Sequence, residues 1–270
     1  MTSTYTCLQR FQEAIRSGDL CLKARDEKFA GGAGVASHLV MPKFNRNAVS
    51  RNVIAFSVFG ADERYLKGAE NNSIAARYVY PAWISRFYVD ESVPAAFCSR
   101  LVQNGAQVIM VDSMPAAKFG TQWRFLVEDD QEVDFYLVRD ADSAVTSKEA
   151  LAVAEWVQSD KAFHVMRDDL AHTELVLAGM WGARRGNIGN MRQRVLDYDK
   201  TVQSIANYIH KDQHFLREKI WPLMRSSVYL HDRFFNFMNP NRYDERLELP
   251  VHRHIGQNDW VHYKLNKPAG

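Results

Sequence analysis

Short apolar runs alternate with stretches of helical spacing from residue 52 onward, and this alternation is the dominant pattern of the chain. Five runs are typical of buried strands: VIAFSVFG, SRFYVDES, AQVIMVDS, VDFYLVRDADS and KAFHVMRDD. The stretch PAAFCSRLVQNG between two of them has Pro94 at its start and Gly105 just past its end, as helices favour. The alternation predicts an α/β domain with a mostly parallel central sheet and helices on both faces.

The two ends of the chain depart from this pattern. Residues 1–45 combine a short amphipathic segment at 8–15 with the glycine-rich stretch AGGAGVASH, and we interpret them as an N-terminal extension. Helices are predicted at 192–207 and 212–224, after which the sequence becomes irregular and rich in His, Asn and aromatic residues. Residues 46–270 are therefore predicted as one domain with an irregular C-terminal section.

Composition and charge exclude few classes of protein. The 270 residues are 46% hydrophobic and 24% charged, which is ordinary for a globular chain. The net charge of +2 argues neither for nor against an anionic partner, so any electrostatic argument must be local. A solvated helix start explains the arginine cluster more simply than a nucleic-acid surface does, so we expect no nucleic-acid partner. Its members are Arg184, Arg185, Arg192 and Arg194.

The cysteines and the N-terminus bear on localisation. Cys7, Cys21 and Cys98 are too far apart for a zinc or redox motif, which favours reduced thiols in a cytoplasmic protein. The first residues lack the basic and apolar regions of a signal peptide. No apolar run approaches the roughly 20 residues of a membrane span, so no transmembrane segment is expected.

Acidic side chains stand where several predicted strands end. Asp90, Asp112 and the pair Asp140 and Asp142 all occupy such positions, as does the stretch 56–60 after the first strand. Ligands of open parallel sheets bind outside the carboxyl ends of the strands. The sequence therefore predicts the functional site at this edge.

The triplet Asp140-Ala141-Asp142 has three explanations. It could be a polar turn after a strand. Alternatively, two carboxylates at the end of a buried strand repel each other, and hard oxygen ligands of this kind suit Mn²⁺ or Mg²⁺. The stretch YLVRDADSAV also fits a haloacid-dehalogenase-type phosphatase, with Asp140 as nucleophile and Asp142 as general acid. That class places this strand near the start of its domain, so we favour the metal site.

Six further stretches stand in order between residues 52 and 221: FSVFGADERYLKGAENNSIAARYVYPAW, RFYVDESVP, FGTQWRF, VRDADS, FHVMRDDLAH and LAGMWGARRG. Together they resemble a group of largely uncharacterised bacterial and viral glycosyltransferase-like proteins. The resemblance implies the GT-A fold, which is Rossmann-like, and transfer of a sugar from a UDP- or GDP-sugar to a hydroxyl of a glycan or lipid-linked glycan. An inactive sugar-nucleotide-binding module with the same fold is the other outcome that the resemblance allows.

The resemblance assigns roles to residues at the ends of two strands. Asp140 and Asp142 match the DxD motif, whose acids bind the divalent ion and the sugar-nucleotide diphosphate. Phe56, Ser57 and Gly60 match the first strand and loop, which hold the nucleotide.

A more distant resemblance to retaining family-eight glycosyltransferases implies three further roles. Arg124 matches the arginine that contacts the donor sugar, although it could merely pair with a nearby acid. Asp212 and Gln213 resemble the Asp-Gln pair beside the reacting carbon, although Asp212 could simply stabilise its helix start.

The stretch 178–182 occupies the place of the loop that shapes the donor and acceptor sites in those enzymes. Gly179 and Gly182 flank Trp181, which suggests a close backbone approach to a ligand and an indole face for a sugar ring. Trp181 could equally belong to the core.

The tail is expected to complete the site. Family-eight enzymes have a late His as third metal ligand and a Lys-Pro that meets the pyrophosphate. His254 is the predicted ligand here, His262 is the alternative, and Lys267 matches the lysine. Whether any protein ligand completes the metal site stays open.

Overall fold

The computed structural model describes residues 10–31, 38–202, 210–247, 249 and 253–258. Among these residues a single sheet has seven strands in the order β3-β2-β1-β4-β6-β5-β7. The strands are β1 Asn52–Ser57, β2 Ile84–Val89, β3 Gln107–Met110, β4 Phe135–Arg139, β5 Phe163–Arg167, β6 Met180–Arg184 and β7 Val228–Asp232. Strand β6 is antiparallel to β4 and β5, and the other pairings are parallel. The predicted α/β class with a mostly parallel sheet is confirmed.

Helices follow most of the strands. They are α1 Phe11–Phe29, α2 Glu63–Val79, α3 Ala95–Gln103, α4 Ala116–Phe119, α5 Ser147–Gln158, α6 Met191–Val202, α7 Lys211–Phe215 and α8 Trp221–Met224. A 3₁₀ segment, Gly120–Asp129, precedes β4, and a π-helical segment, Leu216–Ile220, joins α7 to α8. No described helix is both long enough and apolar enough to cross a bilayer.

Strand β1 shows why the sheet is buried on both faces. All six of its residues are buried. Val53 and Ala55 belong to one hydrophobic cluster, whereas Ile54 and Phe56 belong to another. Because successive side chains of a strand point to opposite faces, the two clusters lie on opposite sides of the sheet. The sheet is therefore the middle layer of the protein, as the continuous apolar runs predicted.

Helix α1 covers 19 of the 45 residues of the predicted N-terminal extension and packs against the C-terminal part of the chain. Its Asp26 accepts hydrogen bonds from Arg225 Nε at 2.7 Å and 3.0 Å. A β-carbon at Gly18 would lie 2.0 Å from the ring of Phe235, so this glycine permits close packing in mid-helix. The sequence predicted a shorter helix because glycine weakens a helical pattern.

Strand β6 corrects the prediction that 178–182 is a ligand-shaping loop. Trp181 lies within the strand, is fully buried and packs against Phe125 and Tyr136, with ring centroids 5.7 Å and 5.5 Å away. A β-carbon at Gly182 would lie 2.7 Å from the carbonyl oxygen of Tyr136. Both residues serve packing within a central strand, and Trp181 has no face that a sugar could stack on.

Candidate functional site

The carboxyl ends of β1 and β4 lie side by side, because these two strands pair in parallel with Ala55 opposite Val138. This register brings the end of β1 next to the Asp140–Asp142 pair. Ser57 Oγ accepts a hydrogen bond from the backbone N–H of Arg124 at 2.9 Å, which fixes the 3₁₀ segment against the strand. The candidate site is built at this junction.

Arg124 is a buried guanidinium between two carboxylates. Its Nη1 donates to Asp140 Oδ1 and to the carbonyl oxygen of Arg139, and its Nη2 donates to Asp212 Oδ2 at 3.2 Å. The side chain is 5% exposed. Burial opposes the charge, but Asp140 and Asp212 outweigh burial and raise the pKa of Arg124. Arg124 thus does pair with nearby acids, which was the alternative to its contact with a sugar. The two acids, Asp140 and Asp212, are themselves predicted site residues.

Asp212 heads helix α7 and faces the site. Burial raises the pKa of the Asp212 carboxyl, and Arg124 counteracts this increase. The negative charge of Asp140 raises the pKa further. Its Oδ1 also accepts the backbone N–H of Gln213 at 2.9 Å. The Asp212 carboxylate therefore accepts a backbone N–H in the first turn of α7 and also pairs with Arg124.

The side-chain amide of Gln213 hydrogen-bonds to the backbone that precedes β6. Its Oε1 accepts the N–H of Ala178 at 3.0 Å, and its Nε2 donates to the carbonyl oxygen of Val176. The sequence predicted that Gln213 acts beside the reacting carbon. The structure instead gives its amide the role of holding the 176–178 backbone against helix α7.

Gly179 directly follows this braced backbone and lies against Asp140. A β-carbon at residue 179 would lie 2.0 Å from Asp140 Oδ2. The sequence suggested a close backbone approach to a ligand. The structure shows that Gly179 approaches the carboxylate of Asp140, and contact of this backbone with a ligand stays a prediction.

Helix α2 supplies three site residues that sequence reasoning missed. Arg64 donates to Asp142 Oδ2 through both Nε, at 2.7 Å, and Nη2. A β-carbon at Gly68 would lie 2.3 Å from the carbonyl oxygen of Ala141. The side chain of Asn72 donates to the carbonyl oxygens on either side of Asp142 and accepts the N–H of Val145 at 3.1 Å.

The spacing of Arg64, Gly68 and Asn72 was the available signal. Residues four apart share one face of a helix. The sequence shows this spacing, but it does not show that this face meets the loop after β4.

A pocket of about 240 Å³ lies among the segment after β4, the segment before β6 and the start of α7. Other pockets among the described residues, of about 420 Å³, 260 Å³ and 440 Å³, are larger. The smaller pocket is the candidate because predicted site residues converge on it. Its lining includes Asp140, Gly179, Asp212, Gln213 and Gly256.

Residues 253–258 return to the site, but His254 does not join the carboxylates. The chain is anchored where Asp168 Oδ2 accepts the N–H of Ile255 at 2.9 Å. His254 Nδ1 lies 2.8 Å from the carbonyl oxygen of Ile255, and its ring centroid lies 4.8 Å from that of His172. Burial, together with the neighbouring charges of His254 and Arg167, lowers the pKa of His172 to about 3.

The predicted three-ligand metal set is accordingly not assembled. Across the described parts of the chain, no three His, Cys, Asp or Glu side chains are grouped so that they could hold a metal ion. His254 is therefore removed from the predicted set, and metal binding by Asp140 and Asp142 stays a prediction. His262 and Lys267 lie outside the described residues.

The remaining predicted residues flank the site. Phe56 is fully buried and stacks on Phe87, with ring centroids 4.9 Å apart, so its side chain belongs to the core. Gly60 has a φ of 71°, and its N–H donates to Ser92 Oγ at 2.7 Å. Gly60 thus forms the turn after β1 in a conformation that favours glycine.

Comparison with known proteins gives structural similarities. No protein-family model matches the chain, and no curated protein matches it. The apo-form glycosyltransferase GlyE of Streptococcus pneumoniae TIGR4 is similar at 17% identity and a TM-score of 0.44, over 62% of this chain and 42% of GlyE. The galactosyltransferase LgtC, solved with donor and acceptor sugar analogs, is similar at 14% identity and a TM-score of 0.46, over 67% of this chain and 73% of LgtC.

Glycosyltransferases are thus among the solved structures that this chain resembles. Another is 4-diphosphocytidyl-2C-methyl-D-erythritol synthase of Anaerococcus prevotii DSM 20548, at 8% identity and a TM-score of 0.43, over 80% of this chain and 96% of that one. The chain spans less than half of the length of GlyE. Values this low do not transfer a function, so the proposal below rests on the side chains of the site.

Proposed function

We propose that the protein is a metal-dependent GT-A-type glycosyltransferase, which moves a sugar from a UDP- or GDP-sugar to a hydroxyl of a glycan or lipid-linked glycan in the cytoplasm. The observation that carries the proposal is the buried Arg124 bridge between Asp140 and Asp212 at the carboxyl edge of the sheet. Charged groups held without freedom to reorganise stabilise charge that develops in a transition state.

Asp140 and Asp142 fit a divalent cation as a pair of hard ligands. Arg124 bonds Oδ1 of Asp140 and leaves Oδ2 of that carboxylate for the ion, whereas Asp142 would bind the ion once Arg64 moves away from its Oδ2. Mg²⁺ in particular is commonly held by one or two carboxylates together with substrate phosphates and water. Such an ion, when bound, would neutralise the departing diphosphate.

The protein's own residues would position the sugar. Asp212 lines the pocket, where burial raises the pKa of its carboxyl and the adjacent Arg124 opposes this increase. Positive charge develops on a sugar ring as its leaving group departs, and a nearby carboxylate stabilises it. Gln213 holds the 176–178 backbone, and Gly179 lets that backbone approach Asp140.

A thermal-shift screen of UDP- and GDP-sugars with and without Mn²⁺ tests the proposal. We expect stabilisation of about 2.7 kcal/mol at a ligand concentration one hundred times Kd. Asp140→Asn should abolish the Mn²⁺-dependent part, whereas Asp160→Asn, at a side chain that is 86% exposed, should not. If a sugar nucleotide stabilised the wild type and Asp140→Asn equally, and as much in EDTA as in Mn²⁺, the metal site would be contradicted.

Turnover separates the alternatives. A transferase slowly hydrolyses its sugar nucleotide to free sugar and nucleoside diphosphate, whereas an inactive binding module releases neither. A phosphatase would release phosphate from simple phosphomonoesters. That class normally has a further acidic pair on a later strand, and the chain offers Asp168 and Asp169 at the end of β5. Asp168, however, is buried and accepts hydrogen bonds from Lys148 Nζ at 2.5 Å and from the N–H of Ile255. This pairing disfavours the phosphatase.

A further inference from the structure

The carboxylate of Asp142 forms an ion pair with a guanidinium group of the protein itself. Arg64 contacts Asp142 Oδ2 with two guanidinium nitrogens, and the Asp142 side chain is 10% exposed. Burial opposes the charge of Arg64, but its bond with Asp142 raises the pKa of the guanidinium. In this structure the ion pair supplies the compensation that two neighbouring carboxylates require.

Helix α2 holds the Asp142 loop independently of this arginine. Asn72 is buried, and its amide makes three hydrogen bonds to the backbone of residues 141–145. Gly68 lets the helix backbone touch the same loop. The loop therefore keeps its anchor if Arg64 moves away. The Arg64 side chain is 35% exposed and begins in the first turn of the helix, so it can turn without displacing α2.

We propose that Arg64 occupies the place of the divalent cation on Asp142 and transfers to the donor diphosphate when the cation binds. A guanidinium and a divalent ion on one carboxylate repel each other, so the cation must displace Arg64. The planar fork of arginine fits phosphate oxygens as well as it fits a carboxylate. This inference rests on the proposed function, because it assumes that a cation and a diphosphate meet at Asp142.

The transfer gives Arg64 two opposite effects. Without nucleotide it competes with the cation and weakens cation binding. With a nucleoside diphosphate present it becomes a ligand for the phosphates and strengthens binding of the complex. A residue that only stabilises the fold would not produce this reversal of sign.

Titration with MnCl₂, followed by the electron paramagnetic resonance signal of free Mn²⁺, tests the first effect. Loss of a charge-assisted hydrogen bond corresponds to roughly a tenfold to hundredfold change in affinity. We therefore expect Arg64→Gln to bind Mn²⁺ alone at least about tenfold more tightly than the wild type. Arg77→Gln, at an exposed arginine in the last turn of the same helix, should bind it as the wild type does.

Calorimetric titration with UDP and with GDP in saturating Mn²⁺ tests the second effect. Arg64→Gln should bind the better of the two nucleotides about tenfold more weakly than the wild type, by loss of one charge-assisted contact. Arg64→Lys should keep part of this affinity, because it keeps the charge and loses the fork. Circular dichroism melting of each variant confirms that the fold is intact, and Arg64→Lys carries the test if Arg64→Gln does not fold.

Equal or weaker Mn²⁺ binding by Arg64→Gln would overturn the inference and leave the proposed function standing. If neither the wild type nor any variant binds Mn²⁺, the inference and the metal-dependent function both fail. Binding of UDP or GDP in EDTA with no effect of Arg64→Gln would likewise reject the transfer, while it would still support a nucleotide site.

Discussion

Gly179 and Asp140 are in such close contact that a β-carbon on residue 179 would lie 2.0 Å from the Oδ2 atom of the aspartate. No side chain can be accommodated at that distance without a shift of the backbone or of the carboxylate. The position of the first DxD carboxylate therefore depends on a residue of a distant segment, which is itself held by Gln213 through Ala178.

Gly179→Ala is expected to move Asp140 away from the pocket and to weaken Mn²⁺-dependent donor binding by about tenfold or more, the effect of losing one charged contact. The folded state should survive, because the nearest atoms to the added carbon belong to the Asp140 side chain, which can rotate. Gly31→Ala is the matched control, since nothing lies within 4 Å of the added carbon. Unchanged binding by Gly179→Ala would show that the contact does not fix the carboxylate.

Arg124→Met is expected to lower the free energy of unfolding by about 3 kcal/mol, because it leaves the largely buried carboxylate of Asp212 without its counter-charge. Asp212→Asn should cost less in the Arg124→Met background than in the wild type, since it then removes an uncompensated buried charge. Urea unfolding of the four proteins measures this coupling. Additive effects would mean that the two side chains do not act as one ion pair.

Gln213→Ala should release the 176–178 backbone. The N–H of Ala178 loses its acceptor, so its hydrogen exchange should speed up by about tenfold or more, as expected for loss of a bond of about 1.4 kcal/mol. Gln193→Ala, which removes an exposed amide on α6 bonded to Asp197 at 2.9 Å, should leave this exchange unchanged. Slow exchange at Ala178 in Gln213→Ala would assign the bracing to other contacts.

Asp26→Ala should destabilise the protein by roughly 2 to 3 kcal/mol without changing Mn²⁺ binding, because it breaks partly buried charged hydrogen bonds between residues that do not line the pocket. Asp26 accepts the indole N–H of Trp221 at 2.8 Å as well as the Arg225 guanidinium. Glu27→Ala, at the exposed neighbouring residue, is the control. A melting temperature equal to that of the wild type would mean that α1 is dispensable for stability.

We expect the free energy of unfolding to fall in mild acid because of two buried histidines. His164 Nε2 and His231 Nδ1 lie 2.9 Å apart, and His231 Nε2 lies 3.1 Å from Glu155 Oε2. Burial lowers the pKa of both imidazoles, and Glu155 partly counteracts this for His231. The unfolded chain takes up protons below about pH 6.5, whereas the folded pair does not, so stability must fall as the pH drops below that value.

His164→Gln tests this sign. Between pH 6.5 and pH 5 it should reduce the pH slope of the unfolding free energy by up to about 1.4 kcal/mol per pH unit, the value for one proton. His38→Gln, at an exposed histidine, should leave the slope as it is. A slope that His164→Gln does not change would show that this imidazole is protonated in the folded protein.

Local patterns predicted much of the sheet and the first carboxylates of the site. Apolar runs and their glycine and proline boundaries specify β1 to β5, because strand formation there depends on neighbouring residues in the chain. The capping residue of α5 was equally visible: Thr146 accepts the N–H of Glu149 at 3.3 Å. The sequence pattern Thr146-x-x-Glu149 also predicts a capping box, in which the Glu149 side chain would bond back to the helix start. The Glu149 side chain instead bonds to Tyr80 and Arg139 in the core.

What the sequence determined by itself is the α/β alternation and the placement of Asp140 and Asp142 at the end of a strand, since both follow from residue order. Only the tertiary structure decided that Trp181 is core, that His254 faces His172, and that Arg64 reaches Asp142. The physical reason is that a residue's periodicity gives its face on an element, whereas its partner depends on which elements pack together. That packing joins residues far apart in the chain, and it is the sum of many weak contacts rather than of any local signal.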